Sequence, residues 1–494
     1  MAGQHLYLIF DSALASQIYR HSQVFIFDPY FLMSFGILGA TKEDLRIISM
    51  GAQTAKPITN LGDDGRRIIH DLHKMTPQYL TGKPLDSLTD LFIQTLCADI
   101  DSKFPINVLT SYEWQTLDIL AYVKTTWAHA SITALFGSNI YTIWPEIEKW
   151  LWLFDEHFQS LFTKLPRFLL PLAWALRDEG WEKCAQWERE ARKSEANKLF
   201  GEDPDWDPYW GLRFVRKRAT YLKESGISDK ARAGNQMVFI WGLNANAIPI
   251  AMQVMAQILQ RPALQTSLLL EISAARTGLT SFDMRKVITS PKLKSVFQEA
   301  LRWATASPSP RVVREDVNLG EFRLKKGNMA MVHSRTLQMD FKTWYIPGIE
   351  ESRPENFWPE RFLADDGSAT ESHVVSENQE AETNYSDDIK RTSKSEIEQE
   401  NIPVQEKACE KEKERGERAR MLSLRPFGGG TTLCPGRHFA INEILGGIAA
   451  LLLRLEIEVL PDELKKNGAP TPGLKKQGGL LPDRGLMVRV RRRR

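Results

Sequence analysis

Residues 427–437 read Phe427-Gly428-Gly429-Gly430-Thr431-Thr432-Leu433-Cys434-Pro435-Gly436-Arg437, after Arg425-Pro426 and before a long apolar run. A cysteine on a glycine-rich loop that opens a helix is placed to act as a ligand. The helix N-terminus favours a thiolate, and nearby N–H groups steady the sulfur and tune its electron donation. Gly430 permits a positive φ, and Gly436 removes a Cβ where the helix would meet a flat bound group. Phe427 is placed to shield the sulfur from water. The plainer reading is a glycine-rich turn around a buried cysteine. The full spacing, Phe-x-x-Gly-x-x-x-Cys-x-Gly, argues against it.

Composition sets the frame for this loop. The chain has 494 residues, 43% hydrophobic and 26% charged, which is globular composition. A formal net charge of +2 excludes a strongly basic nucleic-acid binder. The short basic end, Arg489 and Arg491 to Arg494, reads as a solvated tail. Cys97, Cys184, Cys409 and Cys434 form no CxxC pair. That excludes a disulfide framework and a zinc ribbon and fits a reducing compartment. Val24 to Ala40 is apolar, but Asp28 and Pro29 interrupt it. It therefore lacks the ~18 uninterrupted apolar residues of a membrane span.

Working outward, a helix is expected from about Arg437 to Leu455, then a terminal strand pair turning near Gly478-Gly479 and Pro482. Upstream, residues 364–420 are polar and nearly free of large apolar side chains, which predicts a disordered surface insertion. Short strands are expected at Arg311 to Val313, Phe322 to Leu324 and Met329 to His333, with turns at Gly320 and Gly327. Apolar periodicity predicts helices over Pro291 to Thr305 and Ala231 to Leu259. The region from Glu43 to about Arg261 is mainly helical, including Leu117 to Phe136 and Trp144 to Phe162. Its tryptophans read as core. Leu6 to Phe10 reads as a strand and Ser12 to His21 as a short helix. The whole is mainly α with small β-sheets (α+β), one domain over residues 1–494. Within the long helix, Pro249 removes the hydrogen bond to the carbonyl of Ala245, which predicts an opening at Ala245-Asn246.

The cysteine loop resembles the haem-binding signature of the cytochromes P450. One position departs. The family usually has a basic residue two before the cysteine, and here Thr432 stands there. A sub-group resembling the steroid 7- and 12-hydroxylases and prostacyclin synthase departs likewise and often reads Cys-Pro-Gly-Arg, as Cys434 to Arg437 does. The resemblance implies the P450 fold, with haem b between the long central helix and the cysteine loop and Cys434 as the axial ligand to iron. It implies that Glu299 and Arg302 meet Arg361 of Pro359-Glu360-Arg361-Phe362 and lock the haem-bearing loop. A Glu-x-x-Arg spacing alone carries no weight, and an exposed helix pair is the plain alternative. Arg311 matches an arginine that contacts a haem propionate; a solvent-facing strand arginine is the alternative. Ala245 and Asn246 stand where the family usually carries an acid and a threonine that relay protons. Asn246 can also be read as a packing residue. His73, Lys74 and Lys83 are unranked candidates for the second propionate.

The activity implied is a monooxygenase inserting oxygen from O2 into a hydrophobic small molecule of terpenoid, steroid or polyketide type. The chain resembles fungal P450s of secondary metabolism. Electrons would come from NADPH through NADPH-cytochrome P450 reductase. A monomer is expected, without nucleic acid. Trp241 to Asn246, Ser307 to Pro310 and Gly478 to Pro482 are the expected pocket segments. The resemblance begins late in the family pattern, so an endoplasmic-reticulum location is expected only if an N-terminal anchor is restored. Two alternatives stay open. One is a haem-thiolate isomerase or dehydratase needing no O2, since the acid–threonine pair is missing. The other is an inactive, truncated relative.

Overall fold

The computed structural model describes residues 5–49, 68–106, 109–163, 165–194, 199–278, 281–363 and 419–493. Helices dominate: α1 (Gly82–Lys103), α2 (Ile119–Phe136), α3 (Ile147–His157), α4 (Pro171–Lys193), α5 (Asp229–Leu259), α6 (Pro291–Trp303) and α7 (Arg437–Arg454) carry the core. α5 is the centre. It packs against α2, α3, α4, α6 and α7, and from Ala247 to Leu259 every residue is buried. A helix apolar on all sides belongs inside a large core. By length and composition α5 could cross a membrane, but 67% of its most apolar window is buried within the fold, so it is a core helix.

The sheets are small and lie around this helical body. β1 (Leu6–Ile9) and β2 (Phe25–Ile26) are the edges of a four-stranded sheet whose middle strands are β5 (Pro308–Val313) and β6 (Met329–His333), in the order β1-β6-β5-β2. β1 runs parallel to β6 and the other pairs are antiparallel. β3 (Gln115–Asp118), β7 (Leu455–Val459) and β9 (Met487–Arg492) form an antiparallel sheet in the order β7-β9-β3. β4 (Thr305–Ala306) pairs with β8 (Gly478–Gly479). The expected class, mainly α with small sheets, is the observed one.

Several sequence expectations are corrected. Leu117 and Asp118 are strand, not helix, because Asp118 caps α2: its Oδ1 accepts from the N–H of Leu120 at 3.0 Å and of Ala121 at 3.3 Å. Gly478-Gly479 is not a turn but β8, bonded to Thr305 and Ala306. The basic end is not a solvated tail through Arg492. Val488 and Val490 alternate inward while Arg489 and Arg491 pair with Glu458 (2.8 Å) and Glu456 (2.7 Å), a two-residue period that the arginine run obscured. Arg492 is itself buried and ion-paired to Asp101. Of the insertion expected at 364–420, residues 364–418 lie outside the described residues, and residues 419–423 form a helical turn.

α7 comes unusually close to its neighbours because Gly446 and Gly447 have no side chain. A Cβ on Gly447 would sit 2.2 Å from the Trp127 ring of α2, and one on Gly446 would sit 2.8 Å from Ile93 of α1. Gly447→Ala is expected to cost about 1–3 kcal/mol through overpacking, despite alanine's better helix propensity. Chemical denaturation of the two proteins checks this; an unchanged midpoint would show that α7 does not rest on Trp127.

Candidate active site

The elements behind the cysteine loop are fixed by one buried charge cluster. Glu299 and Arg302 lie three apart on α6, on its inner face, with side chains fully removed from solvent. Arg302 grips Glu299 in a two-pronged pair, Nε to Oε2 at 2.8 Å and Nη2 to Oε1 at 2.7 Å. Its remaining donors reach the carbonyls of Gln338, Pro354 and Asn356 at 2.8–3.0 Å. Arg361 Nε lies 3.0 Å from Glu299 Oε2, while Nη1 donates to the carbonyls of Trp344 and Ser352 at 3.0 Å. Burial pushes the Arg361 guanidinium down to about 10, with Glu299 opposing. The Trp358 N–H donates to Glu299 Oε1 at 2.8 Å. The three residues thus meet as one unit, not as an exposed helix pair.

The cysteine loop follows. Gly430 has φ +61°, and a Cβ there would strike the Tyr19 carbonyl at 2.3 Å. The close approach that glycine permits at this position is to the Ser12–Arg20 helix. The Cys434 N–H donates to the Phe427 carbonyl at 2.9 Å, closing the loop. Cys434 is half-buried at the start of α7. Burial pushes its thiol up, while the N–H groups of Gly436 and Arg437 and the Arg437 guanidinium pull it down. Gly436 has an ordinary φ of −86°, and a Cβ there would meet only the cysteine sulfur, at 4.0 Å. Phe427 packs at the edge of the core.

Arg311, on β5, is buried. It donates to the Thr432 hydroxyl, to the Pro310 carbonyl at 2.8 Å and to Ser309 Oγ at 3.2 Å. Its guanidinium lies 5.4 Å from the ring centroids of Tyr19 and Phe27. A strand more than a hundred residues upstream thus places a guanidinium beside position 432. Arg437 was not singled out by its sequence position. It donates to the Cys434 carbonyl at 3.1 Å, and its buried Nε has no partner among the described residues. His73, Lys74 and Lys83 are all exposed.

On α5, Gly242 and Asn246 are exposed, although the helix around them is largely buried. Four apart, they share one face. The helix does not open at Ala245-Asn246 as the proline predicted; it is continuous through Pro249. The freed Ala245 carbonyl is capped from the side by Lys476 Nζ at 3.1 Å, so the turn keeps its helical form. The Asn246 side-chain oxygen accepts from the Gly479 N–H at 2.8 Å. The three expected pocket segments are brought together here. β8 lies on Asn246 and pairs with β4, which leads into Ser307 to Pro310. Lys476 and its partner Asp155 carried no sequence motif. A planar, anionic, thiolate-bound group fits these residues: a sulfur with N–H support, two guanidiniums beside its loop, open space at Gly436 and an uncovered helix face.

Comparison with known proteins bears on the same residues. The sequence profile of the cytochrome P450 family matches residues 223–377, which takes in α5, α6, Arg311 and Arg361 and ends before the cysteine loop. The chain is 28% identical over 448 residues to the cytochrome P450 monooxygenase fsoE of Humicola fuscoatra, covering 86% of this chain and 71% of that one. It is 26% identical to the cytochrome P450 monooxygenase calL of Penicillium decumbens, covering 100% and 85%. It is 23% identical over 441 residues to the 25-hydroxycholesterol 7-alpha-hydroxylase of Rattus norvegicus, covering 86% and 89%.

Removing the negative charge from the cluster tests its weight. Glu299→Gln leaves two buried guanidiniums without a counter-ion, and stability is expected to fall by about 3–5 kcal/mol. Urea unfolding measures this; a loss below about 1 kcal/mol, as for an exposed pair, would contradict the buried arrangement.

Proposed function

We infer that the chain belongs to the cytochrome P450 superfamily and is a monooxygenase of that class. From that premise we propose that Cys434 is its axial thiolate and that its substrate is a hydrophobic small molecule of terpenoid, steroid or polyketide type, oxidised in secondary metabolism. The observation that carries the ligand assignment is the half-buried Cys434 thiol at the start of α7, on a loop closed by the Cys434 N–H on the Phe427 carbonyl at 2.9 Å. Bound haem would supply the chemistry: with two electrons and two protons, one atom of O2 enters a C–H bond and the other leaves as water.

The protein's own residues bind and orient. Cys434 would hold the iron of a bound haem, and N–H groups near the sulfur would restrain its electron donation. Arg311, seated on Thr432, holds a propionate, and Phe427 keeps water from the sulfur. Gly430 lets the loop rest on Tyr19, and Gly436 leaves room for the macrocycle. Glu299, Arg302 and Arg361 fix the segment behind the loop. Asn246, exposed on α5, would stand beside the bound group. Neither it nor Ala245 titrates near neutral pH, so Asn246 acts by holding water, and protons reach the site along water. The segments Trp241 to Asn246, Ser307 to Pro310 and Gly478 to Pro482 bound the substrate. The enzyme works as a monomer with NADPH-cytochrome P450 reductase, at the endoplasmic reticulum only where an N-terminal anchor is present.

The haem-loaded protein, purified reductase and NADPH, incubated under isotopically labelled O2 with sesquiterpene, triterpene and sterol probes, test the reaction class. The expected product gains one labelled oxygen and forms only with NADPH and reductase. Conversion of a hydroperoxide probe without either, and no labelled product from any probe, would replace this reading with an isomerase.

A further inference from the structure

Pro249 leaves the Ala245 carbonyl without a helical partner inside a packed core, and such a group must be satisfied from elsewhere. Water usually serves. Here the loop at 473–479 brings in an ammonium. Lys476 Nζ donates to the Ala245 carbonyl at 3.1 Å and to Asp155 Oδ2 at 2.6 Å. Asp155 Oδ1 accepts from the Trp241 indole N–H at 3.0 Å, one turn before Ala245 on α5. Asp155 is buried and Lys476 largely so, with side-chain exposures of 6% and 14%. Three residues further along the same loop, the Gly479 N–H holds the Asn246 side-chain oxygen. One loop therefore grips two successive residues of α5, and α3 braces the grip through Asp155.

A buried ion pair of this kind adds little net stability, because desolvation consumes most of the attraction. Its cost is better explained by geometry. We propose that Lys476 is a positioning residue of the monooxygenase site: held by Asp155, its ammonium takes the freed Ala245 carbonyl and so sets the Asn246 turn against whatever binds on the oxygen side. This rests on the P450 reading of α5. It assigns to a lysine from the C-terminal loop the hold on a turn at which this chain carries Ala245 and Asn246, neither of them titratable near neutral pH. The lysine touches the helix backbone and no reacting atom. Its effect passes through Ala245 and Asn246.

The test uses haem-loaded protein and imidazole, which binds iron on the oxygen side. Lys476→Met with Asp155→Asn removes the pair as a neutral unit and avoids stranding a buried carboxylate. Imidazole affinity, read from the Soret shift, is expected to change by about tenfold. Lys476→Arg, which keeps the cation, should stay within about twofold of wild type. Pro249→Ala restores the N–H that the Ala245 carbonyl lacks, so in that background the double substitution should shift affinity by less than about twofold. A double variant with wild-type affinity, or an equal shift in both backgrounds, overturns the proposal. If the double variant does not fold, Lys476→Gln decides: imidazole affinity within about twofold of wild type overturns the proposal, and a shift of about tenfold that Pro249→Ala suppresses supports it. A wild-type protein whose ferrous carbon monoxide complex lacks the thiolate band at about 450 nm would strike the P450 reading itself.

Discussion

One carboxylate carries much of this molecule. Glu299 sits in the core with two guanidiniums on it and a backbone N–H at its free edge. Through Arg302 and Arg361 it fixes carbonyls from Gln338 to Asn356, a stretch with little regular structure of its own. Loops of this kind lack a ladder of hydrogen bonds, so their backbone groups need other partners. The arginines supply those partners and Glu299 supplies the charge that lets them be buried. α6, which bears Glu299 and Arg302, also packs on α5 and on α7, the helix that the cysteine loop opens.

Around that frame the site is built by close approach. Glycine at 430 lets the cysteine loop rest on the Tyr19 backbone, and glycine at 446 and 447 lets α7 sink onto α1 and α2. Glycine at 479 lets β8 lie on Asn246, where a Cβ would come within 2.5 Å of the helix carbonyl. Polar contacts then hold the approaching segments: Arg311 on the Thr432 hydroxyl, Lys476 on the Ala245 carbonyl, the Gly479 N–H on the Asn246 side-chain oxygen.

Much of this was legible in the sequence, where local spacing carries the signal. The Cys434 loop, the span of α5, the freed Ala245 carbonyl and three strands of the four-stranded sheet, β1, β5 and β6, follow from residue type and period. Glu299, Arg302 and Arg361 could be paired because a family pattern linked them. What was not legible depends on contacts between distant positions. Lys476 and Ala245 are 231 residues apart, Lys476 and Asp155 are 321 apart, and nothing local marks either partner. Gly478-Gly479 reads as a turn by composition and becomes a strand because Thr305 and Ala306 pair with it. The terminal arginines read as a tail because charge masks the Val488 and Val490 alternation.

The central claim is that Cys434 ligates haem iron as a thiolate. The most direct measurement is the difference spectrum of the dithionite-reduced protein with carbon monoxide, taken on wild type and on Cys434→Ser. A band at about 450 nm in wild type that is lost in the serine variant is the predicted result. A band at about 420 nm in wild type, or one at about 450 nm that survives the substitution, would contradict it.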